Sequence, residues 1–154
     1  MDKAKTTGEY ACIRLGSQLC FPLYACAKEV IRQYRKPLEP LKLTYTQYLV
    51  MMVLWEKGGM TEGELGRIVR LDSGTLAPLL KRLEKQGLLN RSRLDQNERK
   101  LLLTLTEAGE ALKEKAVLVP EAVRGCIDLP EEELQQLKRL LDKALTRMDA
   151  KGEI

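Results

Sequence analysis

The 154-residue chain contains no histidine. Histidine is the commonest general base, so Ser-His-Asp and Cys-His catalysis within the chain are excluded. The four cysteines, Cys12, Cys20, Cys26 and Cys126, form no CxxC pair. With no histidine to complete a ligand set, neither a metal nor a cofactor is expected. No run of 18 apolar residues occurs, so no transmembrane helix is expected. The polar stretch Met1 to Tyr10 lacks the apolar core of a signal peptide. The expected compartment is therefore the cytoplasm, where an even cysteine count does not imply structural disulfides. Internal repeats and low-complexity linkers are also missing, and the length fits one domain spanning 1–154.

What is present is a chain with 44% hydrophobic and 31% charged residues, able to bury a real core. The net charge of +4 says little, but its distribution says more. Residues 61–100 hold nine Lys/Arg against six Asp/Glu, and residues 101–154 hold eight against eleven. The middle is +3 and the tail −3, which places an electrostatic footprint in the middle.

Apolar residues recur at helical spacing from Ser17 to Tyr34, with Ser17 expected as N-cap. Pro22 either kinks this helix or marks its first turn; Pro37 and Pro40 break the pattern. Thr44 caps a second helix, Tyr45 to Lys57, apolar nearly all round as a central core helix would be. Thr61 with Glu64 forms a capping box opening a short helix to Val69. A second start at Leu71-Asp72-Ser73-Gly74-Thr75 leads into Leu76, Leu79, Leu80 and Leu83 and stops at Gly87. Two short helices joined by a tight turn make a helix-turn-helix. Strands Leu88 to Arg93 and Arg99 to Leu105, around a charged tip, form a β-hairpin wing. A long helix from Thr106 reaches about Val119, with Pro120 as a break. A last helix, Glu131 to about Asp149, has Pro130 at a first-turn position.

The fold class expected is mainly α with a small β wing. A winged helix-turn-helix over about 44–105 lies between terminal helices over about 12–35 and 107–149. A recognition helix needs short polar side chains at its start to reach base edges and basic ones along its exposed face to clamp phosphates. Asp72, Ser73, Thr75, Lys81, Arg82 and Lys85 meet that demand. The wing offers Arg91, Arg93, Arg99 and Lys100, guanidinium groups suited to the narrow minor groove. Double-stranded DNA is thus the expected partner, with a pseudo-palindromic operator. One recognition helix covers few base pairs, and a two-fold dimer sets two of them roughly 34 Å apart. The terminal helices carry apolar faces with no other obvious partner, which makes them the expected homodimer interface. Cys20, near the first helix start, feels unpaired N–H groups and the positive end of the helix dipole, both of which favour thiolate. A reactive thiol joined to a DNA reader is the minimum equipment of a redox-switched transcription factor.

Several residues and runs carry a resemblance: Gln18-Leu19-Cys20-Phe21, Tyr24, Tyr34, Leu43-Thr44-Tyr45-Thr46-Gln47-Tyr48-Leu49, Leu54-Trp55-Glu56, Leu71-Asp72-Ser73-Gly74-Thr75-Leu76, Leu79-Leu80-Lys81-Arg82-Leu83-Glu84 and Leu105-Thr106-Glu107. Over roughly Gln18 to Pro120 the chain resembles the MarR family, and within it the OhrR branch of organic-hydroperoxide-sensing repressors. The resemblance implies that Cys20 is the sensor, held by hydrogen bonds from Tyr34 and Tyr45 of the partner subunit. Phenol donors would stabilise the thiolate. It also implies oxidation of Cys20 to sulfenic acid by an organic hydroperoxide. One-cysteine members of the branch then need an external thiol, whereas two-cysteine members form an inter-subunit disulfide. Cys126 stands about where the resolving cysteine would be, so a Cys20–Cys126 disulfide is expected. Cys12 and Cys26 are expected to be bystanders. One departure is Asn97, where the family usually carries an acidic residue that shapes the wing tip near Arg99. Two other readings compete: a regulator released by a small aromatic ligand, with Cys20 not the sensor, and a thiol peroxidase. The peroxidase lacks any thioredoxin-like βαβ pattern.

Overall fold

A computed structural model of the chain describes residues 10–93 and 101–150. The chain divides into two compact units, Met1–Val123 and Arg124–Ile154. No helix among the described residues is long and apolar enough to cross a membrane.

The first unit begins with two single 3-10 turns, Ala11–Ile13 and Leu15–Ser17, before helix α1, Cys20–Gln33. Ser17, expected as the N-cap, lies inside the second turn. The cap position falls to Leu19, already in helical geometry and with no side-chain bond to offer. The shift puts Pro22 third in the helix, where its missing N–H would have had no helical partner, so α1 is not kinked there. None of the residues of α1 is buried. Pro37 and Pro40 do not end the helical path. Both sit in first turns, of a short helix α2 (Arg35–Leu38) and of a 3-10 turn (Glu39–Leu41). The path ends at Lys42, whose φ of 55° turns the chain.

Helix α3, Tyr45–Lys57, is the centre of the unit. Thr44 and Gln47 form its capping box, and Val50, Met51 and Leu54 are fully buried. Its neighbours in the core are α2, α4 (Glu62–Val69), α5 (Ser73–Lys85) and α6 (Glu107–Ala116). After Gly58, at φ 75°, a two-residue strand β1, Met60–Thr61, adds an edge where the sequence pattern points only to a helix start. Gly59 admits it, because a Cβ there would meet the carbonyl oxygen of Leu103 at 3.2 Å. Strands β2 (Leu89–Arg93) and β3 (Leu101–Leu105) pair antiparallel, Arg91 opposite Leu103, and the sheet order is β1-β3-β2. The wing thus has a third strand at its base, and its tip, 94–100, lies outside the described residues. Helix α6 ends at Ala116, and a short helix α7, Val119–Ala122, follows with Pro120 in its first turn.

In the second unit Cys126 follows Gly125, which has φ 81°. Helix α8, Glu131–Ala150, begins one residue after Pro130, whose carbonyl accepts the first helical bond from Leu134 at 3.0 Å. Three glutamates in its first turn complement the helix dipole. Leu134, Leu137, Leu141, Leu145 and Met148 recur at spacings of three and four, and none of them is buried.

Candidate nucleic-acid interface and thiol site

The helix-turn-helix is built from α4, a three-residue turn and α5. Thr61 and Glu64 cap α4 reciprocally: the Thr61 hydroxyl accepts from the Glu64 N–H and the Glu64 carboxylate accepts from the Thr61 N–H. The helix ends at Arg70 with φ 55°. Gly66 lets the turn close on it, since a Cβ there would stand 3.0 Å from the Leu71 carbonyl oxygen. Asp72 starts α5. Its carboxylate accepts from the Thr75 N–H and the Thr75 hydroxyl, both at 2.9 Å. Those bonds, the backbone one first, hold the Asp72 carboxyl below the usual carboxylate range. Both residues were expected at base edges; here each is engaged with the other as a cap. Leu76, Leu80 and Leu83 anchor α5 in the core, which leaves Ser73, Lys81, Arg82 and Lys85 exposed together.

At the end of α5, Gly87 at φ 73° allows the Leu88 N–H to reach the Leu83 carbonyl at 3.1 Å, and the chain enters the wing. Arg93 is exposed at the end of β2. Arg91, expected beside it as a wing cation, is placed differently. Its Nε donates to Glu84 of α5 at 2.9 Å and only 16% of its side chain is exposed. Arg99 and Asn97 lie outside the described residues.

The structure adds neighbours that local sequence could not supply. A groove of about 260 Å³ runs between the start of α3 and the flank of α5, bringing Thr44 and Thr46 beside Thr75 and Arg82. Gln86 donates to the Lys42 carbonyl at 3.1 Å and pins the same loop to the end of α5. These residues lie far apart in sequence, Lys42 and Gln86 by 44 positions, and no spacing rule links them.

Cys20 is the first residue of α1 and is exposed, as are Cys12, Cys26 and Cys126; all four are free thiols. Tyr34 stands just beyond the other end of α1. Fourteen residues at 1.5 Å each separate the two by about 21 Å along the helix axis, so within one chain Cys20 cannot reach Tyr34. Tyr34 instead packs on Tyr45, ring centroids 4.8 Å apart and tilted by 59°. It also lies 6.1 Å from the ring of Tyr48, which in turn lies 6.3 Å from Trp55. Burial pushes the Tyr45 phenol above its ordinary pKa, so it is a protonated donor at neutral pH. The two tyrosines expected to act together are thus assembled in one protomer, at the opposite end of α1 from their own cysteine.

A two-helix reader followed by a hairpin wing in a three-stranded sheet, with a solvent-facing thiol on a flanking helix, defines a winged helix-turn-helix regulator of transcription. Residues 43–101 match the model of the MarR family. The chain is 45% identical to the organic hydroperoxide resistance transcriptional regulator of Bacillus subtilis, over 91% of this chain and 95% of that one. In three dimensions it resembles AbfR of Staphylococcus epidermidis. The reduced, DNA-bound form of AbfR is 36% identical, with 91% and 97% coverage and a TM-score of 0.72. The disulfide form is 34% identical, with 95% and 97% coverage and a TM-score of 0.59. The chain belongs to the MarR family.

Proposed function

We propose that the chain acts in the cytoplasm as a homodimeric repressor that leaves its operator when an organic hydroperoxide oxidises Cys20. The observation that carries this reading is the position of Cys20 on a helix with no buried residue, about 21 Å from the tyrosine pair of its own chain. A second copy, with its α1 antiparallel across the two-fold axis, would bring its Tyr34 and Tyr45 to this Cys20. The uncovered apolar faces of α1 and α8 support that association, and residues 1–154 then form one MarR-type unit.

The Cys20 thiolate attacks the terminal oxygen of the hydroperoxide and the O–O bond breaks. Sulfur is oxidised to sulfenic acid, and the departing alkoxide takes a proton to become the alcohol. The thiol of Cys126 from the other subunit then displaces hydroxide, which leaves as water, and a disulfide forms. The relative named for hydroperoxide resistance and the AbfR structure with its disulfide formed support this order of events. On DNA, Ser73, Lys81, Arg82, Lys85 and Arg93 face the duplex, Asp72 and Thr75 shape the start of the reading helix, and Arg99 enters the minor groove.

The test is peptide mapping of the purified dimer after one equivalent of organic hydroperoxide, without reductant. A Cys20–Cys126 linked peptide in a covalent dimer is the expected result. Cys20 oxidised with Cys126 untouched would refute the resolving step, and a fully reduced Cys20 would refute the redox reading.

A further inference from the structure

The chain passes from the reading helix into the wing at Gly87, whose φ of 73° makes the turn from α5 towards β2. Two backbone bonds hold the root of this joint: the Leu88 N–H donates to the Leu83 carbonyl and the Thr106 N–H to the Leu88 carbonyl, both at 3.1 Å. Leu89 is buried beside them. Farther out, Arg91 donates from Nε to the Glu84 carboxylate at 2.9 Å, reaching from β2 back to α5. The pairs Glu29–Arg32 and Lys138–Asp142 are exposed and each stays within one helix, whereas Glu84–Arg91 joins two elements and is shielded on its Arg91 side. A shielded pair is screened less by salt than an exposed one. Strand side chains alternate, so Leu89, Arg91 and Arg93 share one face of β2. Along that face burial falls step by step to Arg93, which is exposed.

We propose that the Glu84–Arg91 pair aims the wing. It braces the angle between α5 and β2, and so sets the step of DNA at which the wing meets the minor groove relative to the bases under α5. This rests on the chain binding DNA through α5 and the wing, and it is independent of the oxidation of Cys20. The lever is long enough to matter. Arg93 lies six residues beyond Gly87, about 20 Å along the strand, so a swing of about 10° at the glycine carries it about 3.5 Å. That is about the rise of one base pair. The minor groove narrows in A·T tracts, and a guanidinium reads that narrowing only where it arrives in register. A loosened wing still brings its charge to the phosphate backbone but samples several steps, so it keeps contact and loses sequence preference. Arg91 is thus a positioning residue that acts through the wing rather than on the bases.

The experiment selects bound sequences from a pool of random duplexes of about 30 base pairs, room for two half-sites one turn apart and both flanks. The full-length, reduced protein is used throughout. Selection reads only folded, bound protein, so a loss of stability does not imitate a change of preference. The wild type is expected to enrich both a half-site and A·T-rich flanks, the flanks by about fivefold or more over G·C. Arg91→Met and Glu84→Gln are each expected to keep the half-site preference and bring the flank preference close to parity. The bond runs from Nε, a place that a lysine ammonium can reach, so Arg91→Lys is expected to recover most of the flank preference. A wild type without flank preference, flank preference unchanged in both Arg91→Met and Glu84→Gln, half-site and flank preferences lost in equal measure, or no recovery by Arg91→Lys each overturns the assignment. Failure of the wild type to enrich any sequence overturns the DNA reading beneath it as well.

Discussion

Gly109→Ala sets two effects of opposite sign against each other. Gly109 is the third residue of α6, and alanine in place of glycine in a helix normally adds about 1 kcal/mol of stability. Here a Cβ would stand 2.0 Å from the carbonyl oxygen of Leu88 and 3.0 Å from its carbon. An ordinary carbon–oxygen contact is about 3.3 Å or longer, so the two backbones must part by about 1.3 Å. That Leu88 carbonyl accepts from the Thr106 N–H at 3.1 Å, and the Gly109 carbonyl accepts from the Trp55 indole at 2.9 Å. Overpacking of this kind costs about 1–3 kcal/mol, and a weakened buried hydrogen bond about 1 kcal/mol more. The clash wins, and the net expectation is a loss of about 2 kcal/mol. The single tryptophan is the reporter: urea unfolding followed by Trp55 fluorescence and by circular dichroism, at one fixed protein concentration because dimerisation contributes to stability. The midpoint should fall with both probes together. A midpoint equal to or above the wild type would mean that the close approach of α6 to the start of the wing is not there.

Four further outcomes follow from particular contacts. Asp72→Asn should lower stability at neutral pH and flatten its acid dependence. The folded carboxyl is held below its ordinary pKa, so its contribution is present above that ordinary value and is lost as pH falls through the depressed one; urea midpoints between pH 3 and 7 test this. Lys42→Gly should leave stability unchanged or raise it by up to about 1 kcal/mol, because Lys42 holds φ 55°, a conformation that costs only glycine nothing; a lower thermal midpoint would contradict it. Arg91→Met should lower stability without reducing the salt dependence of DNA binding, since its guanidinium is committed to Glu84. Arg93→Ala should reduce the slope of log K against log salt by about one unit, and equal slopes for the two variants would refute the distinction.

Much of this architecture was legible where local chemistry decides local structure. The caps at Thr44 and Thr61, the apolar stripe of α5 and the glycine stop at Gly87 all occur as expected, because each depends on residues within a turn of one another. Ser17 failed as a cap because Leu19 was already helical and Pro22 needed no amide partner. Strand β1 was missed for another reason. Two residues carry no periodicity, and Met60–Thr61 is a strand only because β3 lies beside it. Arg91 reads as a free wing cation in sequence and becomes a pillar between β2 and α5 in space, since Glu84 is seven positions away and on a different element. Tyr34 and Tyr45 entered by resemblance alone. Their ring contact is a property of how the junction of α1 and α2 packs on the start of α3, and the sequence carries no spacing rule for it.

The placement of the thiol has a consequence for how a chemical event at one residue reaches DNA. A 14-residue helix with no buried side chain is marginal in water by itself. On the dimer reading, α1 owes its stability to association, and Cys20 sits on an element whose order depends on the partner. Tyr34, at the other end of that helix, rests on Tyr45 and Tyr48 of the central core helix. Tyr48 meets Trp55, and the Trp55 indole is bonded to Gly109, which touches the backbone where α5 passes into the wing. On the proposed switch, oxidation that alters the packing of α1 would act on a helix with no buried residue of its own, while the reader is joined to that helix through ring contacts and backbone bonds. Two recognition helices serve one operator only at a fixed separation. A switch of this kind needs no change inside the reading head, only a change in how two intact heads are held apart.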